Sequence, residues 1–107
     1  MYREGEDSQT LEERVKEDRE RENRIKFHMI KLAWPRIMDI LKERVYERDY
    51  KTFLYSLEPT MMCEGKLWIG TERFFNRRIE IIYGKTIESI IKNLVHIDVL
   101  IEFYELE

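Results

Sequence analysis

The chain has 107 residues with 22 acidic and 19 basic side chains, a formal net charge of −3. That length suits one domain with a single modest core, and the near balance of charge excludes a coat protein that holds nucleic acid by uncompensated Lys and Arg. No apolar run approaches the roughly 18 residues of a membrane span and no signal peptide is evident, while the single Cys63 excludes an internal disulfide framework and fits a reducing cytoplasm.

Residues 1–9 are polar and read as a frayed start. Residues 11–26 then carry six acids and six bases. Glu12/Lys16, Glu17/Arg21, Glu20/Arg24 and Glu22/Lys26 stand at i,i+4 in the favourable acid-first order, each worth about 0.2–0.5 kcal/mol. Thr10 with Glu13 makes a capping box. The segment predicts a mostly exposed helix docked by its last turns, with an interaction arm or a coiled-coil end as the other reading. Leu11, Val15 and Ile25 do not sustain a heptad repeat.

Trp34-Pro35 predicts a break, with Pro35 in the first turn of a new helix. Ile37, Ile40, Leu41 and Val45 give that helix an apolar face. A further helix is expected from Asp49, with Tyr50, Phe53, Leu54 and Leu57 at i, i+3, i+4, i+7 and Pro59 as its stop. Residues 60–63 and 66–70 read as a hairpin turning at Gly65. Thr71 is expected to cap a long helix lined by Phe74, Phe75, Ile79, Ile82, Tyr83, Ile87, Ile90, Ile91 and Leu94, with Gly84 weakening its middle. Residues 97–104 close the chain as a strand. The order helix-helix-strand-strand-helix-strand predicts an α+β, KH-like domain with a three-stranded sheet, preceded by the charged helix.

Chemistry is scarce. His28, His96 and Cys63 have no metal-site spacing. Cys63 sits in an apolar strand, where a thiol reads as inert packing rather than as a nucleophile served by His96. No phosphate-cradling glycine loop occurs, and no carboxylate stands isolated in an apolar pattern. The expectation is no enzyme, no cofactor, no metal and no small-molecule substrate. Arg73, Arg77, Arg78 and Lys85 on one helix offer a weak single-stranded nucleic-acid surface, against the plainer reading of a solvated helix face.

One pattern spans about 70 of the residues. It runs from Trp34 through Asp49-Tyr50, Phe53, Leu57 and Pro59, then Leu67 and Ile69, Thr71-Glu72-Arg73-Phe74, Tyr83 and Ile87. In order and spacing it resembles the N-terminal domain of the bacterial replication initiator DnaA. Phe53 stands where that family has tryptophan, and Thr71-Glu72 replace its Pro-Asn. The resemblance implies a domain of that type over residues 33–107, after a disordered start and charged helical extension over 1–32. It implies recruitment in DNA replication initiation, in the cytoplasm of a bacterium or on a plasmid or phage. The expected partners are the replicative helicase, a DnaA-type domain or a regulatory replication protein, with a homodimer and weak single-stranded DNA contact besides. By this resemblance Trp34 would mediate self-association, and Asp49 and Phe74 would meet helicase or adaptor; the plainer readings are Trp34 packed under the N-terminal helix, Phe74 in the core and Asp49 as a helix cap. The ATPase and DNA-reading domains of a complete initiator are absent, so the chain is expected to be a stand-alone or excised domain. A purely structural dimerisation module is the other alternative.

Overall fold

The computed structural model describes residues 10–72 and 77–106. It begins with one helix, α1 (Leu11–Arg44), about 50 Å long at 1.5 Å per residue. The capping box is present: Glu13 N–H donates to Thr10 Oγ1 at 3.1 Å, and Thr10 N–H to Glu13 Oε1 at 3.4 Å. Of the expected ladder, Glu22–Lys26 closes at 3.0 Å, and Arg21 also meets Asp18 at 3.4 Å. Up to Met29 the helix is exposed or at most half-buried, and Ile30 is its first buried residue. Lys16, Arg19 and Lys26 of this half line an open groove with Met62, Cys63, Glu64 and Gly65, within an overall extent of 66 × 28 × 19 Å.

The expected break at Trp34-Pro35 does not occur. Pro35 removes the N–H that would bond to the Lys31 carbonyl, but both residues are exposed, so water can take that carbonyl. Ile30 before the proline and Ile37, Met38 and Leu41 after it are all buried, which holds both halves of the helix on one core. No boundary falls between residues 32 and 33, and the core reaches back to Ile30.

The second helix is shorter than expected. α2 (Glu47–Thr52) gives way to a 3₁₀ turn, Leu54–Ser56, yet Leu54 and Leu57 still reach the core. Pro59 does not stop a helix but lies inside strand β1 (Glu58–Cys63), whose pairing with β2 (Lys66–Thr71) shifts register between Pro59 and Met61. β1 is an edge strand, the place where a missing N–H costs least. Glu64 (φ 52°) and Gly65 (φ 78°) both take left-handed backbone in the two-residue turn, the geometry of a type I′ hairpin.

Thr71 ends β2, almost completely buried, and is not a helix cap. Helix α3 (Arg77–Val95) follows, and His96 closes it in the left-handed region at φ 60°, its N–H donating to Lys92 O at 3.0 Å. Ile82, expected on the core face, is half exposed. Strand β3 (Leu100–Glu105), shorter than the expected 97–104 run at its start, lies parallel to β2. Its Ile101 N–H donates to Glu88 Oε2 of α3 at 2.9 Å. The sheet order is β1-β2-β3, so the fold is α+β with a mixed three-stranded sheet. Leu67 and Ile69 pack with Ile37, Leu41, Ile87 and Ile91 on the side of the sheet that the helices cover.

Candidate functional site

Trp34 is half-buried on α1, where its indole Nε1–H donates to Leu57 O at 3.1 Å. That bond ties α1 to the end of the 3₁₀ turn, so the ring serves the domain interior. Asp49 is the third residue of α2, not its cap, and its side chain is only 14% exposed. It accepts a hydrogen bond from the Tyr83 hydroxyl of α3, and Arg48 Nε stands 3.7 Å from its other oxygen. Burial, reinforced by Asp49, pushes the Tyr83 phenol from 10.0 up to about 12. Phe74 and Arg73 lie outside the described residues.

Arg77 and Arg78 open α3 and are exposed. Arg77 faces Glu80 at 3.6 Å and Glu102 at 3.8 Å. Lys85, also exposed, lines a groove between α3 and β3 together with Glu80, Glu88 and Glu102. The described basic residues of the expected nucleic-acid face are thus interleaved with carboxylates. Among the described residues no group of three or more His, Cys, Asp or Glu is placed to hold a metal ion. No described helix is long and apolar enough to cross a membrane. Cys63, expected as inert packing, is exposed at the end of β1.

Trp34 and Asp49, the expected contact residues that are described, each engage a partner inside the domain. A different surface is open. Side chains of paired strand residues share a face, and those beside Leu67 and Ile69 turn toward the helices. The opposite face carries Cys63, Lys66 and Leu100 in one row, Met61, Trp68 and Glu102 in the next, and Glu58, Gly70 and Tyr104 in the third. The Trp68 and Tyr104 rings meet edge to face with centroids 6.4 Å apart. Leu106 lies over Gly70, close enough that a Cβ there would stand 2.6 Å from its Cδ2. Met61 and Leu100 are 49% and 59% exposed.

No helix covers this apolar, aromatic face among the described residues. Sequence reasoning missed it, although its signal was present: in Lys66-Leu67-Trp68-Ile69, Trp68 alternates with the two residues that fill the core. What the arrangement offers is contact area with an aromatic centre, and no convergent acid, base or nucleophile. No protein-family model matches the chain, and no curated protein matches it in sequence.

Proposed function

We propose that the chain is a non-enzymatic protein-docking module of the cytoplasm, using the open face of its sheet around Trp68. The observation that supports this most is the row of exposed Met61 and half-buried Trp68 beside exposed Leu100 and Tyr104, on a sheet backed by the core. Aromatic residues set among polar neighbours dominate interface energies, since they bury much area at little entropic cost. The resemblance to the DnaA N-terminal domain suggests the partner class: the replicative helicase, a DnaA-type domain or a replication regulator.

Affinity capture from a nuclease-treated lysate of the source organism tests this reading, read by mass spectrometry and followed by titration with the purified candidate. The control is Trp68→Thr/Tyr104→Thr, checked for folding by circular dichroism. Helicase or initiator that binds the native chain and at least tenfold more weakly the control supports the reading. Equal binding to both, or no binding of either once nucleic acid is digested, overturns it.

A further inference from the structure

At the start of β3 the outer edge of the sheet is closed by a side chain. β3 has β2 on one side and, among the described residues, no strand on the other. Leu100 N–H donates to Gly65 O at 3.0 Å and Leu106 N–H to Thr71 O at 2.8 Å. Backbone groups alternate sides along a strand, so those of Leu100 and Glu102 face β2. The Val99 carbonyl and both backbone groups of Ile101 therefore point away from the sheet. Ile101 N–H donates to Glu88 Oε2 of α3 at 2.9 Å. That carboxylate stands where the carbonyl of a neighbouring strand would stand. A charged side chain in this place is a common guard on an open edge.

Beside this edge runs a groove walled by α3. One stretch holds Ile81 and Ile101, the next Lys92 and Val99, and Lys85 and Glu88 belong to both. Ile81 is 48% exposed. Lys92 holds Asp98 at 2.9 Å, whereas Lys85 is exposed and makes no ion pair among the described residues. Glu88 stands four residues before Lys92 on α3. Displaced from Ile101, it can turn to Lys92 in the favourable acid-first order. Opening the edge thus strands no charge, and Lys85 is left to receive a carboxylate from outside.

We infer that β3 and α3 form a docking groove for an extended segment of a partner protein. The segment adds to the sheet antiparallel to β3 and carries the pattern apolar–apolar–acidic. Its first residue exchanges both backbone hydrogen bonds with Ile101, taking that N–H from Glu88, and its third donates an N–H to the Val99 carbonyl. Side chains of paired residues share a face of the sheet. The first residue therefore lies against Ile81, and the acidic third reaches Lys85 and Lys92. The middle residue turns to the other face, beside Leu100, which is 59% exposed. Backbone bonds supply the attachment, and the alternating side chains supply the selectivity. This goes beyond the docking reading of the Trp68 face, because the segment is held by the edge of β3 and not by Trp68.

The test is an NMR titration of the nitrogen-15-labelled full chain with the peptide acetyl-Thr-Ile-Val-Asp-Thr-amide, up to about 1 mM. The expected result is saturable binding that shifts the Ile101 amide. Methylating the peptide's Ile nitrogen removes the N–H that meets the Ile101 carbonyl and should weaken binding at least tenfold. Methylating its Val nitrogen, which points away from β3, should leave binding unchanged. Lys85→Glu alters an exposed charge and should keep the native circular dichroism spectrum. This variant should bind the peptide at least tenfold more weakly, and should recover binding when the peptide's Asp is replaced by Lys. Glu88→Ala removes the competing carboxylate and should bind about threefold more tightly, since the edge is then already open. Should Glu88→Ala fail to fold, the two methylated peptides and Lys85→Glu still decide. No saturable binding up to about 1 mM, equal binding of the two methylated peptides, or indifference to Lys85→Glu overturns the inference.

Discussion

Replacing Tyr83 by phenylalanine removes one hydroxyl and tests how α2 is fastened to α3. In the native chain that hydroxyl donates to Asp49, whose side chain is only 14% exposed. Without it a nearly buried carboxylate loses its donor, which costs about 1–3 kcal/mol at neutral pH. The loss should be pH dependent. A tenfold change in proton affinity is worth about 1.4 kcal/mol, so a phenol held at about 12 rather than 10.0 contributes up to about 3 kcal/mol. The folded pKa lies above the unfolded one, so this contribution is fully present below pH 10 and is lost as pH rises toward 12. Urea unfolding of both proteins at pH 7, 9, 10.5 and 11.5 measures it, because with a slope of about 1–3 kcal/mol per molar the neutral-pH midpoints should differ by roughly 1 M. The difference should shrink above pH 10, where the native chain gives up its advantage and Tyr83→Phe has none to lose. Asp49→Asn should keep part of the alkaline decline, since burial is the largest single cause of the raised phenol and the Asp49 hydrogen bond and charge come next. A midpoint difference that stays constant from pH 7 to 11.5 would refute the argument.

Three further substitutions follow from backbone geometry. Gly84→Ala should stabilise the fold by about 1 kcal/mol, because the helix gains propensity and the new Cβ meets Ile101 and Phe103 at ordinary contact distances of 3.6 Å. Calorimetry should register a rise in Tm of about 4–8 °C, and a fall would mean that the α3–β3 contact has no room for a methyl group. His96→Gly relieves a left-handed residue at the end of α3 and should gain up to about 1 kcal/mol in urea unfolding, whereas a loss would mean that the imidazole makes a stabilising contact. Pro35→Ala returns a hydrogen bond to the Lys31 carbonyl and should raise stability by about 2–3 kcal/mol, with the new amide at residue 35 protected from exchange; an unchanged midpoint would mean that water already satisfies that carbonyl in full.

Local signals carried far in this sequence where a single element decided the outcome. Thr10 and Glu13 announce the capped start of α1, and Gly65 marks the hairpin turn. The spacing of Tyr83, Ile87, Ile90 and Ile91 gives the buried side of α3. The element order, read in series, gives the α+β architecture. Errors arose where tertiary packing outweighed a local preference. Pro35 is a strong breaker, but Ile30, Ile37 and Leu41 bury on the same side of the helix and outweigh one missing hydrogen bond. Pro59 punctuates a helix only if a helix precedes it, whereas on an edge strand its lack of an N–H costs little. Thr71 has the chemistry of a cap, but its register opposite Glu105 makes it the last rung of a strand.

The candidate site was less legible than the fold, and the cause is physical. An indole or a carboxylate looks the same in a sequence whether it faces solvent or is already engaged. Trp34 and Asp49 each spend their polar atoms on a partner distant in sequence, Leu57 and Tyr83, and nothing within a few residues of either could reveal that. Conversely, strand alternation separates Trp68 from Leu67 and Ile69 but does not say which side the helices will cover. That choice depends on α1 and α3 packing on the same side, a property of the whole chain. Once it is made, the sheet is left with an open face around Trp68. The length of α1, which Pro35 does not break, brings Lys16, Arg19 and Lys26 beside the β1–β2 turn. The same packing that engages Trp34 and Asp49 thus leaves the Trp68 side of the sheet without a helix over it among the described residues.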